Sequence, residues 1–171
     1  MEIRFLNDND ANEWCRLRLE ALTNDPEAFS SSVEEHHALT PKDVRSRLES
    51  AAEDSFVIGA FRDARLIATV GFFRDKGPKN RHKGRVWGVF VTPRERGAGL
   101  AEEMMKRLLE RAAQTEGIEQ ILLAVTTTQK AARRLYQSFG FETFGTEPLA
   151  LKIGVKYIDE EYMILRLKAN Q

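Results

Sequence analysis

Hydrophobic positions recur at helical spacing near the start of the chain. Glu2 to Leu6 reads as a short strand, and Asn7 or Asp8 can cap a helix that follows it. The apolar stripe of that helix includes Trp14, Leu17, Ala21 and Leu22. The pattern therefore predicts a strand followed by an amphipathic helix.

The next stretch has a weaker pattern. Residues 27–39 lack clear periodicity, which predicts a loop or a broken helix. Thr40 and Pro41 then supply a cap and a proline at the first helical position, so a second helix should run to about Ala52. The first third of the chain is thus predicted to be a helical arm.

The central part of the chain is rich in β-formers. Phe56 to Phe61 and Leu66 to Phe73 are apolar runs separated by the four residues Arg62 to Arg65, which is typical of a hairpin. The apolar run Val86 to Val91 follows, and Pro93 ends it. Three strands in sequence indicate an antiparallel meander.

The second half alternates between helical and strand patterns. A helix from Leu100 stops at Gly117, and a strand, a helix and two closing strands follow, at 121–125, 129–139, 141–145 and 162–167. Strand, helix, strand and helix in succession imply a parallel pairing. We therefore expect an α/β fold, with a mixed sheet and helices on both of its faces.

Length and charge narrow the class of protein. The chain has 171 residues, so we expect a single domain over residues 1–171, and 26 basic and 26 acidic side chains give zero net charge. A dedicated nucleic-acid binder would show a basic excess, so nucleic acid is an unfavoured partner.

The N-terminus has no signal-like pattern and no apolar run could span a membrane. The single cysteine, Cys15, excludes an intrachain disulfide, so the prediction is a cytoplasmic protein with no membrane partner.

The segment Val86 to Ala101, V-W-G-V-F-V-T-P-R-E-R-G-A-G-L-A, is the most informative stretch. It predicts a strand, a turn containing Gly97 and Gly99, and the start of a helix. Free amide groups and the helix dipole can hold a phosphate there if no Cβ blocks its approach. An ordinary turn is an equally good explanation of the glycines taken alone. The spacings of the dinucleotide and nucleoside-triphosphate loops are both missing.

A second motif lies about 30 residues after the glycines, and reads Gln129-x-x-Ala132-x-x-Leu135-Tyr136-x-x-x-Gly140-Phe141. Together with Arg94-x-x-Gly97-x-Gly99, it resembles the GCN5-related N-acetyltransferase (GNAT) superfamily. The family often has asparagine where this chain has Gln129. The resemblance implies a central, mixed but mostly antiparallel twisted sheet of about seven strands. It also implies a V-shaped split between strands four and five, and acetyl-coenzyme A (acetyl-CoA) as co-substrate.

The resemblance also assigns residues to the cofactor. Backbone amides would hold the pyrophosphate at Arg96, Gly97, Ala98, Gly99, Leu100 and Ala101, and the pantetheine arm would pair with Val89, Phe90 and Val91. The side chains of Arg94 and Arg96 either pair with phosphate oxygens or are solvated. Gln129 either contacts the cofactor arm or caps its helix. Tyr136 aligns with the family's general acid, and a phenol with a pKa of ~10 is protonated at neutral pH.

The acceptor side is less defined. The family uses its first helical arm there, which points to Phe29, Ser31, Glu34 and Glu35. The fourth strand carries no acid to serve as general base. Candidates for that role are Glu34, Glu35, His36 and His37 in the arm and Asp159, Glu160 and Glu161 before the last strand. The histidine pair has no second ligand pair at metal spacing, so no metal is expected.

Two functions follow as hypotheses. The first is an acetyl-CoA-dependent N-acetyltransferase in which a primary amine of a small molecule, amino acid or protein attacks directly within a ternary complex. The missing acid on the fourth strand motivates the alternative, a non-catalytic acyl-CoA-binding sensor or regulatory module. A covalent acetyl-cysteine route is disfavoured because Cys15 lies beside Trp14 at a predicted core position. Both monomer and homodimer stay open.

Overall fold

The computed structural model describes residues 1–48 and 54–167. The strands of this part of the chain are β1 (Glu2–Phe5), β2 (Ser55–Arg62), β3 (Arg65–Arg74), β4 (Lys83–Val91), β5 (Gln120–Thr126), β6 (Glu142–Ile153) and β7 (Lys156–Arg166). Its α-helices are α1 (Ala11–Asn24), α2 (Val33–His37), α3 (Pro41–Leu48), α4 (Leu100–Ala113) and α5 (Lys130–Ser138). Short 3₁₀ turns lie at Asp8–Asp10, Pro26–Ala28 and Pro93–Glu95.

The strands form one seven-stranded sheet in the order β1-β2-β3-β4-β5-β7-β6. Strands β1 to β4 are an antiparallel meander, β4 and β5 are parallel, and β5, β7 and β6 are again antiparallel. The predicted mixed, mostly antiparallel sheet of about seven strands is confirmed. Its single parallel pair arises because α4 crosses over between β4 and β5.

Side chains alternate between the two faces of the sheet and build a core on each face. On one face α4 and α5 cover Phe56, Ile58, Phe72, Ile121 and Met163. On the other face α1 and α3 cover Val57, Phe61, Leu66 and Phe90. The predicted stripe on α1 is buried, with Trp14, Leu17, Ala21 and Leu22 all on its inner side. The prediction of helices on both faces is therefore confirmed.

The sheet splits between β4 and β5. Only three residue pairs join these strands, Lys83 to Arg85 with Gln120 to Leu122, and beyond them the strands diverge. A β-bulge accompanies the divergence, because Gly88 and Val89 both lie opposite the single residue Val70 of β3. Gly88 has φ +62°, a conformation that glycine adopts without strain. The bulge bends β4 away from β5 and opens a V-shaped gap.

The closing strands differ from the sequence prediction. The sequence predicted strands at 141–145 and 162–167, whereas β6 and β7 form a long hairpin. Pro148 and a positive φ of +54° at Leu149 interrupt the alternation of β6. An edge strand tolerates both, since one side of it needs no partner. As a result, Asp159, Glu160 and Glu161 lie within β7, and the prediction that they precede the last strand was wrong.

The sequence also predicted where two helices end. The helix that begins at Leu100 ends at Ala113, earlier than the predicted stop at Gly117, because a turn follows. The predicted second helix corresponds to α3, and its predicted end at about Ala52 lies outside the described residues. No helix in residues 1–48 and 54–167 is both long and apolar enough to span a bilayer.

Candidate functional site

The split between β4 and β5 opens a cleft of about 460 Å³. One wall comes from β4 and the loop that follows it, another from α5, and the arm closes one end through Phe29. Eleven of the residues that the sequence assigned to the cofactor or the acceptor line this cleft: Phe29, Val89, Phe90, Val91, Arg96, Gly97, Gly99, Leu100, Ala101, Gln129 and Tyr136. The tertiary structure therefore brings together two motifs that lie about 30 residues apart in the chain.

The glycine loop forms the entrance to α4. Gly97 and Gly99 have φ angles of +82° and +76°, and a Cβ at either position would have no atom within 4 Å. Ala98 lies between them and is exposed. The amides of the first turn of α4 have no intrahelical acceptor, and the helix dipole is positive at this end. The loop thus offers an open, positively polarised cradle that fits a diphosphate.

The two arginines of the loop differ in their surroundings. Arg96 Nε donates to the Val91 carbonyl at 2.8 Å, and its guanidinium also pairs with Asp25 and lies 5.4 Å from the Phe90 ring centre. Its side chain therefore links β4 to the end of α1. Arg94 lines a separate cavity of about 610 Å³ and is not among the residues that line the cleft. The Arg96 guanidinium is thus engaged by protein groups, and Arg94 lies outside the cleft.

The outer half of β4 has an open edge toward the cleft. From Val86 to Val91 this strand has no partner on β5, while its other edge stays paired with β3. The Val91 carbonyl on this stretch is occupied by Arg96. The remaining unpaired backbone groups can bind an extended amide-containing chain as an added strand.

Tyr136 lies on α5 and turns its side chain into the core beside the cleft. The residue is 6% exposed, and its ring packs edge-on against Phe141 at 6.1 Å between centres. Burial raises the pKa of the Tyr136 phenol above its ordinary value because the phenolate would lose its hydration. The hydroxyl is therefore a proton donor throughout the neutral pH range.

Gln129 occupies the N-cap position of α5, but its side chain makes no capping hydrogen bond. The residue lines the cleft. Of the two roles that the sequence left open, helix capping by the side chain is thus contradicted. The amide stays available to a ligand in the cleft.

Of the four arm residues named for the acceptor, one lines the cleft. Phe29 lies in the cleft, 6.4 Å from the Phe90 ring centre. Ser31 Oγ accepts a hydrogen bond from Arg18 at 3.1 Å. Glu35 closes a capping box with Ser32, while Glu34 is exposed on the first turn of α2. The structure brings Phe29 into the cleft, whereas Glu35 has a structural role in α2.

The candidate general bases lie in different environments. Glu161 forms an ion pair with Arg133 at 2.8 Å. His36 is buried beside Trp14, and burial lowers the pKa of its imidazole. Burial and the nearby Glu147 raise the pKa of Glu160. No group of three His, Cys, Asp or Glu side chains in the described residues could hold a metal ion.

Several residues of the cleft were missed by sequence reasoning. Strand β5 contributes Ala124 and Val125, the first turn of α5 contributes Ala131, and the arm adds Ala28. The small side chains at the start of α5 were the available signal, since they leave room beside a ligand. Only the divergence of β5 from β4 explains why the two strand residues are exposed to the cleft.

Comparisons with known proteins agree with this geometry. The sequence pattern of the Acetyltransferase (GNAT) family matches residues 16–141. The chain is 29% identical over 146 residues to a mycothiol acetyltransferase of Brachybacterium faecium, covering 84% of this chain and 41% of that protein. It therefore spans about two fifths of that relative's length.

Two further proteins are similar over nearly their whole length. A spermine/spermidine N(1)-acetyltransferase of Bacillus subtilis is 28% identical over 137 residues, which cover 75% of this chain and 90% of that protein. A solved acetyltransferase structure from Salmonella typhimurium, which contains acetyl-CoA, superposes with a TM-score of 0.85 at 18% identity. The superposition covers 100% of this chain and 96% of the other, and it shows a shared fold.

Proposed function

The chain belongs to the Acetyltransferase (GNAT) family, and from this membership we propose that it transfers an acetyl group from acetyl-CoA to a primary amine. The observation that carries the proposal is the meeting of the glycine loop and Tyr136 on one cleft of about 460 Å³. A phosphate cradle and a proton donor on the same cleft suit a phosphate-bearing thioester. We further propose that residues 1–171 form a single domain, which the continuous seven-stranded sheet supports.

The residues of the cleft have distinct roles in this proposal. Backbone amides from Gly97 to Ala101 hold the pyrophosphate, and the open edge of β4 binds the pantetheine arm. Acetyl-CoA, when bound, supplies a thioester whose acyl carbon is the electrophile. A β4 backbone N–H next to Val89 polarises the acyl oxygen in the manner of an oxyanion hole. Tyr136 Oη holds the proton that the departing thiolate needs.

The amine attacks directly, without an acetylated enzyme. Cys15 is half-buried on α1 and is not among the residues that line the cleft. Burial raises the pKa of its thiol, so the reactive thiolate is scarce at neutral pH. Both observations support a ternary complex over a covalent relay.

An acceptor screen tests the proposal. The protein is mixed with acetyl-CoA and a panel of polyamines, amino acids, aminoglycosides and peptides, and released thiol is measured. Turnover with at least one amine is expected. If acetyl-CoA raises the melting temperature and no amine gives turnover, the acyl-CoA-binding sensor is the correct function. The same screen names the acceptor class.

A further inference from the structure

A second cavity lies on the α1 face of the sheet, beside the cofactor cleft. It has a volume of about 390 Å³, and its lining includes Phe73, Trp87, Leu122, Ala124, Phe144 and Tyr162. Ala124 also lines the cofactor cleft, so the two spaces meet where β4 and β5 diverge. A molecule in this cavity would approach the acyl group from the side opposite α5.

The register of β5 and β7 defines which polar groups border this approach. Tyr162 lies directly opposite Ala124, and Glu160 lies opposite Thr126. Directly opposed residues of an antiparallel pair project from the same face. The Thr126 hydroxyl donates to the Glu27 carbonyl of the arm at 2.8 Å, so this face is the one that the arm covers. Glu160 thus lies two residue pairs beyond Tyr162, at the next position on the same face, and is half-buried.

The charges around Glu160 are unbalanced. Glu147 of β6 lies directly opposite Glu160, and neither carboxylate has an ion pair with another described residue. Two like charges in that position destabilise a sheet. The Tyr162 hydroxyl donates to Glu147, and this contact raises the pKa of Tyr162 to about 12. The neighbouring Glu161 contrasts with this pair, since it projects to the other face and is neutralised by Arg133.

The aromatic wall and the unbalanced acids suit the same ligand. A primary ammonium is attracted both by carboxylates and by the faces of aromatic rings. The one cation that lines the cavity, Arg85 among the described residues, is already held by Asp75 through contacts of 2.8 and 3.0 Å. Glu160 and Glu147 do not line the cavity themselves but adjoin it through Tyr162, which lines it and donates to Glu147. The cavity and these neighbouring acids therefore suit an ammonium group carried on an apolar stem.

We propose that Glu160 is the general base of the acetyl transfer. This inference rests on the proposed function. Burial and the neighbouring Glu147 raise the pKa of Glu160, which makes it a stronger base than an ordinary carboxylate. It supplies the acid that β4 lacks.

The acetyl transfer balances in protons and in electron pairs. Glu160 takes one proton from the acceptor ammonium, directly or through water, and later releases it to solvent. The free amine electron pair forms the new C–N bond to the acyl carbon, and the C–S bond breaks with its electrons on sulfur. Tyr136 protonates the thiolate, and the second proton lost from nitrogen restores the Tyr136 phenol. The products are the amide, the free thiol and one proton.

The variant Glu160→Gln tests the assignment with an amine found in the acceptor screen. We expect kcat/KM to fall by about 100-fold or more, because a positioned base contributes about 10²-fold to 10⁴-fold. The dissociation constant of acetyl-CoA should not change. The melting temperature should stay equal or rise, because the repulsion with Glu147 is removed. Glu142→Gln is the matched control, since Glu142 is an exposed glutamate on β6 and should keep wild-type kcat/KM.

The pH profile separates a base from a merely structural residue. The charged and titratable groups that act on Glu160 are Glu147 on β6 and Tyr162 on β7. Glu27 of the arm, whose carbonyl accepts from Thr126 opposite Glu160, pairs with Lys156. Wild-type kcat/KM should rise with pH as Glu160 ionises, and this limb should vanish in Glu160→Gln. Glu147→Gln should move the limb to lower pH, because it removes a like charge.

The two proposals fail in different ways. If the wild type acetylates an amine and Glu160→Gln keeps its kcat/KM and its pH limb, Glu160 is not the base and the proposed function stands. If the wild type acetylates no amine of the panel, the proposed function is wrong and the assignment of Glu160 is wrong with it.

Discussion

Tyr136 is the residue that the proposed function uses as the acid. A buried phenol stays neutral at neutral pH, so its hydroxyl carries the proton that the departing thiolate needs. The same burial explains why the ring also packs against Phe141. One side chain therefore serves both the core and the proposed chemistry, and only its hydroxyl belongs to the second role.

Removing that hydroxyl should lower catalysis without unfolding the protein. We expect Tyr136→Phe to reduce kcat by about 100-fold, within the range of general acid catalysis. The dissociation constant of acetyl-CoA, measured by calorimetry, should stay nearly the same. Tyr157→Phe is the matched control, because Tyr157 is 50% exposed on β7. An unchanged kcat in Tyr136→Phe would remove Tyr136 as the acid.

At the scale of elements, the strand, glycine loop and helix act as one unit. The bulge at Gly88 moves β4 off β5, and the loop then begins α4 with free amides. The open edge and the cradle therefore arise from backbone geometry, which side-chain truncation at Val89 or Val91 would not remove. Cofactor binding is therefore tested by substitutions that change the backbone conformation, or whose Cβ keeps the ligand from reaching the backbone.

A pair of glycine variants separates binding from stability. Gly99 and Gly154 have φ angles of +76° and +60°, and a Cβ at either would meet no atom within 4 Å. Alanine at either position should cost about 1–2 kcal/mol of unfolding free energy, the strain of a left-handed residue. Only Gly99→Ala should also weaken acetyl-CoA binding, because its Cβ would enter the cradle. Equal affinity in the two folded variants would mean that the phosphates bind elsewhere.

At the scale of the whole molecule, an ion pair between Arg4 and Asp10 joins the first strand to the turn that precedes α1. Asp10 is 7% exposed. It accepts two hydrogen bonds from Arg4, at 2.7 and 2.8 Å, and one from the Asn7 amide at 2.9 Å. The Arg4 hydrogen bonds hold the pKa of Asp10 below its ordinary value. These bonds connect β1 to the beginning of α1.

The pH dependence of stability should reveal this pair. Because its pKa is lowered, Asp10 stabilises the fold above its unfolded pKa of ~3.9, and the contribution is lost as pH falls through the folded value. Asp10→Asn should lower the unfolding free energy by about 2 kcal/mol at pH 7 and flatten its decline in acid. Glu142→Gln removes an exposed pair with Arg166 and should change it by less than about 0.5 kcal/mol. Urea titrations across pH measure both, and equal curves for wild type and Asp10→Asn would contradict the role of Asp10.

The oligomeric state is also a property of the whole molecule. The homodimer that the sequence left open stays a prediction. The β6–β7 hairpin exposes Phe144, Leu149 and Val155, which are 57%, 63% and 97% accessible. Light scattering after size-exclusion chromatography would determine the mass in solution.

The sequence by itself determined the elements and the donor motif. Helical and strand periodicity is local, so α1, the hairpin of β2 and β3, and the glycine entry to α4 could be predicted from neighbours in the chain. The hairpin of β6 and β7 was underestimated, because an exposed edge strand with Pro148 has little hydrophobic pattern. For the same reason, the sequence prediction placed Glu160 before the last strand, whereas it lies within β7.

Only the tertiary structure decided how these parts meet. The three-pair contact of β4 and β5 opens the cleft, the Arg96 guanidinium is occupied by Val91 and Asp25, and β7 brings Glu160 opposite Thr126. Such relations depend on strand register and on contacts between residues far apart in the chain, which no local pattern encodes. The sequence thus identified the acetyl donor, whereas the groups proposed to meet the acceptor follow from the packing of the sheet.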